Sequence, residues 1–124
     1  MAQLSQAVKN AISKQDVFPV ATSHSDRMPN VVYIKYLKVV DDETVLMADN
    51  YLNKTRDNIL DNGKIAFVVL DEDKGSFQIK GTACRLTEGP FFDDVQQWVS
   101  DTLPKVAAVV MRVEAVYNGA ERMT

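Results

Sequence analysis

Short polar turns between runs of β-branched and aromatic residues constrain this chain more than any other feature. Pro29 to Val40 carries Val31, Val32, Tyr33, Ile34, Tyr36, Leu37, Val39 and Val40, a composition that suits extended backbone. Asp41-Asp42 interrupts the run, and Thr44 to Ala48 returns as the next strand. A connection this short joins only antiparallel neighbours. Val17 to Thr22 ends in the turn cluster Ser23 to Asp26 and reads as another strand. Lys64 to Leu70 is almost continuously apolar, which predicts a buried central strand. From Ser76 to Leu86, Phe77, Ile79, Gly81 and Ala83 alternate with Gln78, Lys80, Thr82 and Cys84, giving one dry face and one wetter face. Ala107 to Tyr117 is the last strand, and the polar tail beyond it is expected to fray.

Helical spacing punctuates these strands. Leu4, Ala7, Val8, Ala11 and Ile12 predict a helix over residues 3–13. A second helix starts at Asn53, has Ile59 and Leu60 as its apolar face, and stops at Asn62-Gly63. A third opens at Gly89-Pro90, shares a face among Phe91, Val95, Trp98 and Val99, and ends before Pro104. Trp98 reads as the anchor of that helix. The order α-β-β-β-α-β-β-α-β implies a mainly β, six-stranded, mostly antiparallel barrel, closed or partly open, with flanking helices. A chain of 124 residues fits a single domain, 1–124.

Composition excludes several functions. A net charge of −3 carries no basic footprint, so nucleic acid is not an expected partner. No apolar run approaches the ~20 residues of a membrane span, and Met1 to Lys14 lacks a secretory pattern. One cysteine cannot form an intramolecular disulfide, which fits a cytoplasmic protein. One histidine and one cysteine are too few for a His- or Cys-based metal site, so none is expected. His24 lies in a polar turn and reads as exposed, and Cys84 as a small core or half-buried residue. No His–Asp or paired-carboxylate constellation is visible, which argues against hydrolysis and leaves the catalytic residues unknown.

The strand from Thr44 to Ala48 runs through a polar turn into a helix that opens with Lys54, Thr55 and Arg56. Cations there are electrostatically backwards, because the free N–H groups of a helix start already carry partial positive charge. Those N–H groups, a hydroxyl and an ammonium together suit a phosphate. A plain solvated helix start is the competing account. Arg56 points away from Lys54 by helical rotation and reads as solvated. Asn58 either braces the turn from within the helix or faces solvent.

Val20-Ala21-Thr22, Pro29-Asn30-Val31-Val32, Met47-Ala48-Asp49, Lys54-Thr55 and Asn58-Ile59, in that order, resemble the pyridoxamine 5′-phosphate oxidase-like family of FMN-binding split barrels. Lys64-Ile65-Ala66 and Gln78-Ile79-Lys80-Gly81-Thr82-Ala83 fit the same pattern. The most specific part is the Ala-Asp-x4-Lys-Thr-x2-Asn spacing. The resemblance covers about residues 15–117. It implies a homodimer with one FMN at each of two interface sites. Lys54 and Thr55 would grip the FMN phosphate. Val31, Val32, Tyr33 and Ile34 would pass beside the flavin ring, largely through backbone groups. Met47, Ala48, Asp49 and Asn50 would lie between ring and phosphate. Gln78 could reach a flavin from the partner subunit. Related split barrels hold deazaflavin or haem, so the resemblance leaves these open beside FMN, as it does a barrel that has lost its ligand. The vitamin-processing oxidases add basic residues and C-terminal arginines for a second phosphate. This tail offers only Arg122 beyond Arg112, so pyridoxamine phosphate oxidation itself is not expected. A flavin-dependent oxidoreductase or small electron carrier is.

Overall fold

The computed structural model describes residues 2–124. Strands β1 (Phe18–Ser23), β2 (Pro29–Ile34), β3 (Leu37–Asp41), β4 (Thr44–Asp49), β5 (Lys64–Asp71), β6 (Gly75–Leu86), β7 (Ala107–Asn118) and β8 (Glu121–Arg122) form one sheet. Three helices flank it: α1 (Gln6–Lys14), α2 (Lys54–Asp61) and α3 (Pro90–Trp98). The strand order is β2-β1-β5-β6-β7-β4-β3, with β8 paired to β7. Every pairing is antiparallel.

The connectivity forces the sheet to curl. Its two outermost strands, β2 and β3, are consecutive in the chain and joined only by Lys35-Tyr36. Edges a whole sheet apart can be joined by two residues only if the sheet wraps almost onto itself. β2 and β3 do not pair, so the barrel stays split along that seam. The fold is therefore the mainly β split barrel expected.

The strand count differs from six for two reasons. Pro29 to Val40 is two strands, because the chain crosses the seam at Lys35-Tyr36. No glycine or proline marks that corner, so composition alone reads straight through it. The tail, expected to fray, adds the two-residue β8 through Tyr117↔Arg122 and Asn118↔Glu121.

The barrel interior is apolar. Phe18, Phe67, Phe77, Ile79 and Met111 are fully buried, and Phe18 meets Phe67 edge-on at 6.2 Å. Each such side chain contributes on the order of 1.5–3 kcal/mol by leaving water. α1 adds Val8, Ala11 and Ile12 to this core. A smaller cluster lies under α3, where Val95 and Val99 cover Leu46, Ala48 and Ala108. Trp98 anchors this layer edge-on against Tyr36, 5.5 Å between ring centres. Cys84 corrects an expectation: it is exposed, on the wetter face of β6 with Gln78, Lys80 and Thr82. The alternation around it already implied that side; its residue type misled.

Candidate anion and cofactor site

At the seam, the end of β4 delivers the chain through Asn50–Asn53 into α2. A cleft of about 400 Å³ opens between this turn and β2. Val32, Tyr33, Ile34, Ala48, Asn50, Lys54 and Thr55 line it, all expected from the sequence. Lys35, Tyr36, Tyr51, Leu52, Asn53 and Leu103 complete the wall. Leu103 was not legible locally, because it arrives from the segment after α3, far along the chain. Nothing beside it in the sequence signals this: α3 already ends at Trp98, and the segment is tied back to β4 where the Val106 N–H donates to the Asp49 carbonyl at 2.9 Å.

The remaining expected residues sit differently. Val31 points outward from β2 and is exposed. Met47 faces the barrel core and is fully buried. Asp49 is buried and turned from the cleft, accepting hydrogen bonds from Arg85 Nε at 2.8 Å and Leu52 N–H at 3.0 Å.

The helix start is built as an anion site would be. Asn53, the residue preceding α2, makes no side-chain capping bond. The N–H groups of the first turn are therefore left without a side-chain cap, where an anion is favoured. Lys54 is exposed and has no hydrogen bond or ion pair among the described residues. Thr55, by contrast, is buried, and its Oγ1 accepts a bond from Asn30 Nδ2 at 2.9 Å. Asn30 Nδ2 also reaches Thr22 Oγ1 at 3.2 Å, and Asn58 Nδ2 reaches the same oxygen at 3.0 Å. Asn58 is thus a brace within the helix, joining α2 to β1. Arg56 lies beside Asp57 at 3.5 Å on the outer surface.

β2 supplies the opposite wall. It is an edge strand, paired only to β1. One side of its backbone is left unpaired by the sheet, and its residues Val32, Tyr33 and Ile34 line the cleft. An edge like this offers N–H and C=O groups to a flat polar ligand.

A larger cleft, about 800 Å³, shares Lys35 and Tyr36 with the first and runs between α1, β3 and Trp98. Its Lys9 and Lys38 are already paired, with Asp42 at 2.6 Å and Asp94 at 2.9 Å. The smaller cleft is the candidate for an anionic cofactor, since it joins an uncapped helix start to an unpartnered ammonium. Among the described residues no cluster of three His, Cys, Asp or Glu side chains is arranged to hold a metal. No helix among them is long and apolar enough to cross a membrane.

Known proteins resemble this chain in sequence and in fold. The family described as Pyridoxamine 5'-phosphate oxidase matches residues 4–119. This chain belongs to that family. The protein is 33% identical over 123 residues to the uncharacterized protein MJ0282 of Methanocaldococcus jannaschii, covering 95% of this chain and 82% of that one. HupZ of Group A Streptococcus superposes with a TM-score of 0.84 at 29% identity, covering 93% of each chain. An FMN-binding protein from Syntrophomonas wolfei superposes with a TM-score of 0.79 at 21% identity, covering 98% of this chain and 86% of that one. The same fold recurs, at lower identity, in an F420 reductase (TM-score 0.68) and in HutZ, the heme storage protein of Vibrio cholerae (TM-score 0.68).

Proposed function

We propose that this protein is an FMN-binding flavoprotein, acting as a flavin-dependent oxidoreductase or small electron carrier. The observation that carries the reading is Lys54: an ammonium at an uncapped helix start with no partner among the described residues. A phosphate would satisfy the N–H groups and the ammonium together, and Thr55 would add a hydroxyl donor. The cleft volume, about 400 Å³ in one chain, lies within the ordinary range for small-molecule sites. FMN would supply the redox chemistry. The protein would anchor the phosphate, hold the ring's polar edge with the free backbone of β2, and limit access. The FMN-binding relative supports this reading.

The assembly we propose is a symmetric homodimer. Val31 and Tyr33 on β2 are 67% and 78% exposed, and Leu70 on β5 is 76% exposed. The register places Val31 beside Ala21, and Ala21 beside Ala66, so one apolar face crosses three strands. Water contact over such a face is unfavourable, and pairing it with a second copy would cover it. Tyr33 belongs both to this face and to the cleft, so the partner would wall the cofactor.

A second reading, deazaflavin or haem in place of FMN, is favoured by the F420 reductase and HutZ likenesses. One spectrum separates the readings. Purified protein that carries an oxidised-flavin spectrum, or quenches added FMN stoichiometrically, supports the proposal. Deazaflavin or haem bands would select the second reading. Protein that is colourless and indifferent to FMN overturns the first.

A further inference from the structure

Arg85 lies on β6, outside the cleft, and yet one side-chain contact links it to the turn that precedes Lys54. Its Nε donates to Asp49 Oδ2 at 2.8 Å. The other carboxylate oxygen of Asp49 accepts the Leu52 N–H at 3.0 Å. The Asp49 backbone carbonyl accepts the Val106 N–H at 2.9 Å. Asn50 Oδ1 accepts the Lys105 N–H at 3.0 Å. The Asp49 carboxylate is thus held at both oxygens, and the turn it caps is tied down on both sides.

Burial makes this arrangement demanding. The Asp49 side chain is 1% exposed, and that of Arg85 is 17% exposed. A buried carboxylate without its cation is strongly unfavourable. Asp49 therefore keeps its rotamer only while Arg85 holds it. β7 runs between the two strands, and its Ala107, the register partner of Asp49, carries only a methyl group. The guanidinium reaches across that strand.

We propose that Arg85 is a positioning residue for the anion site: through Asp49 it fixes the Asn50–Asn53 turn, and so the geometry with which Lys54 and the first turn of α2 meet a phosphate. This rests on the phosphate reading given above. Arg85 touches no ligand. Its effect is preorganisation, which raises affinity by removing the cost of ordering the turn on binding. Asp49 cannot do this alone, because one oxygen's bond to Leu52 leaves the carboxylate free to rotate or to seek water.

The test measures dissociation constants for FMN and for riboflavin, which lacks the phosphate, in wild type and in Arg85→Met. Positioning of the phosphate turn predicts that FMN binding weakens about tenfold, the scale of one lost hydrogen bond, while riboflavin binding is unchanged. The Leu52 amide proton should also exchange faster. Arg85→Lys keeps the charge but not the directed Nε–H; it serves where Arg85→Met does not fold, and its FMN preference over riboflavin should also fall. A purely structural role would weaken both flavins together, and that result overturns the proposal. So does an unchanged ratio in both variants. Wild type that binds riboflavin as well as FMN sinks the phosphate reading first, and this inference with it.

Discussion

The side-chain amide of Asn30 on β2 donates to Thr55 Oγ1 at 2.9 Å, tying the edge strand of the barrel to the first turn of α2. An amide nitrogen can only donate, so the Thr55 oxygen acts here as acceptor. Its own proton then remains to be given elsewhere. The same Asn30 nitrogen reaches Thr22, which also accepts from Asn58. Four polar side chains from β1, β2 and α2 thereby satisfy one another, and no buried side-chain polar atom among the described residues lacks a partner.

Thr55→Val tests this arrangement. The substitution keeps the shape and removes the hydroxyl. The Asn30 amide then loses an acceptor in a partly buried place, which costs about 1–3 kcal/mol. FMN affinity should fall as well, since the hydroxyl donor goes. Urea denaturation and flavin titration read the two effects separately. Thr55→Ser should recover most of both. Full stability in Thr55→Val would mean that the hydroxyl is not needed by the network.

Lys54→Ala should behave in the opposite sense for stability. Lys54 is exposed and unpartnered among the described residues, and its charge opposes the helix dipole. Its loss should leave the melting temperature unchanged or slightly raised, within about 0.5 kcal/mol. FMN binding should weaken at least about tenfold, because a charge-assisted phosphate contact contributes on the order of 1.5–3 kcal/mol. The salt dependence of binding should shrink with it. Calorimetric titration at two ionic strengths checks both. Equal affinity in the variant would remove Lys54 from the site.

Asp41 gives a pH dependence with a defined sign. The Glu43 N–H, bonded to its carboxylate at 2.9 Å, is the main cause holding the carboxyl below its ordinary value of 3.8, helped by the Thr44 hydroxyl. A depressed folded value means the contribution to stability is present above the unfolded value. It is lost as pH falls through the folded one. Asp41 is exposed, so solvent screening keeps the effect small. Asp41→Asn should be slightly less stable than wild type at neutral pH, and the gap should close below the ordinary carboxylate range. Thermal melts across an acid series check this; a gap that persists in strong acid contradicts the charge account.

The sequence was informative where the physics is local. Alternation and hairpin turns identify the antiparallel sheet, the Asn62-Gly63 stop helps identify α2, and the misplaced ammonium at Lys54 singles out its start as a candidate anion site. Pairing across the chain was hidden. Arg85 and Asp49 stand 36 residues apart, and nothing near either announces the other. Asn58 read either as a brace or as a solvated residue, because only the fold brings Thr22 to it. The Lys35-Tyr36 corner carries ordinary strand residues, so its bend follows from the two sheet edges it must join. Val31 and Met47 were expected at the site by position. That expectation rests on backbone position; their side chains follow the strand period, one outward and one into the core.

The apolar face shared by β2, β1 and β5 yields the last prediction. Tyr33 is 78% exposed in one chain and lines the cleft. In a dimer built on this face, a carboxylate at position 33 would be taken out of water at the interface. A charge buried without a counter-ion is strongly unfavourable. Tyr33→Asp should therefore give a folded monomer by light scattering where wild type gives a dimer. Its FMN affinity should fall together with dimerisation, because half of the cofactor's enclosure would leave with the partner. Circular dichroism guards against simple unfolding: an exposed strand residue on the outer face can change without disturbing Phe18, Phe67 and Phe77 behind it. A wild-type monomer at micromolar concentration would refute the dimer. A Tyr33→Asp variant that remains dimeric would move the interface to another face.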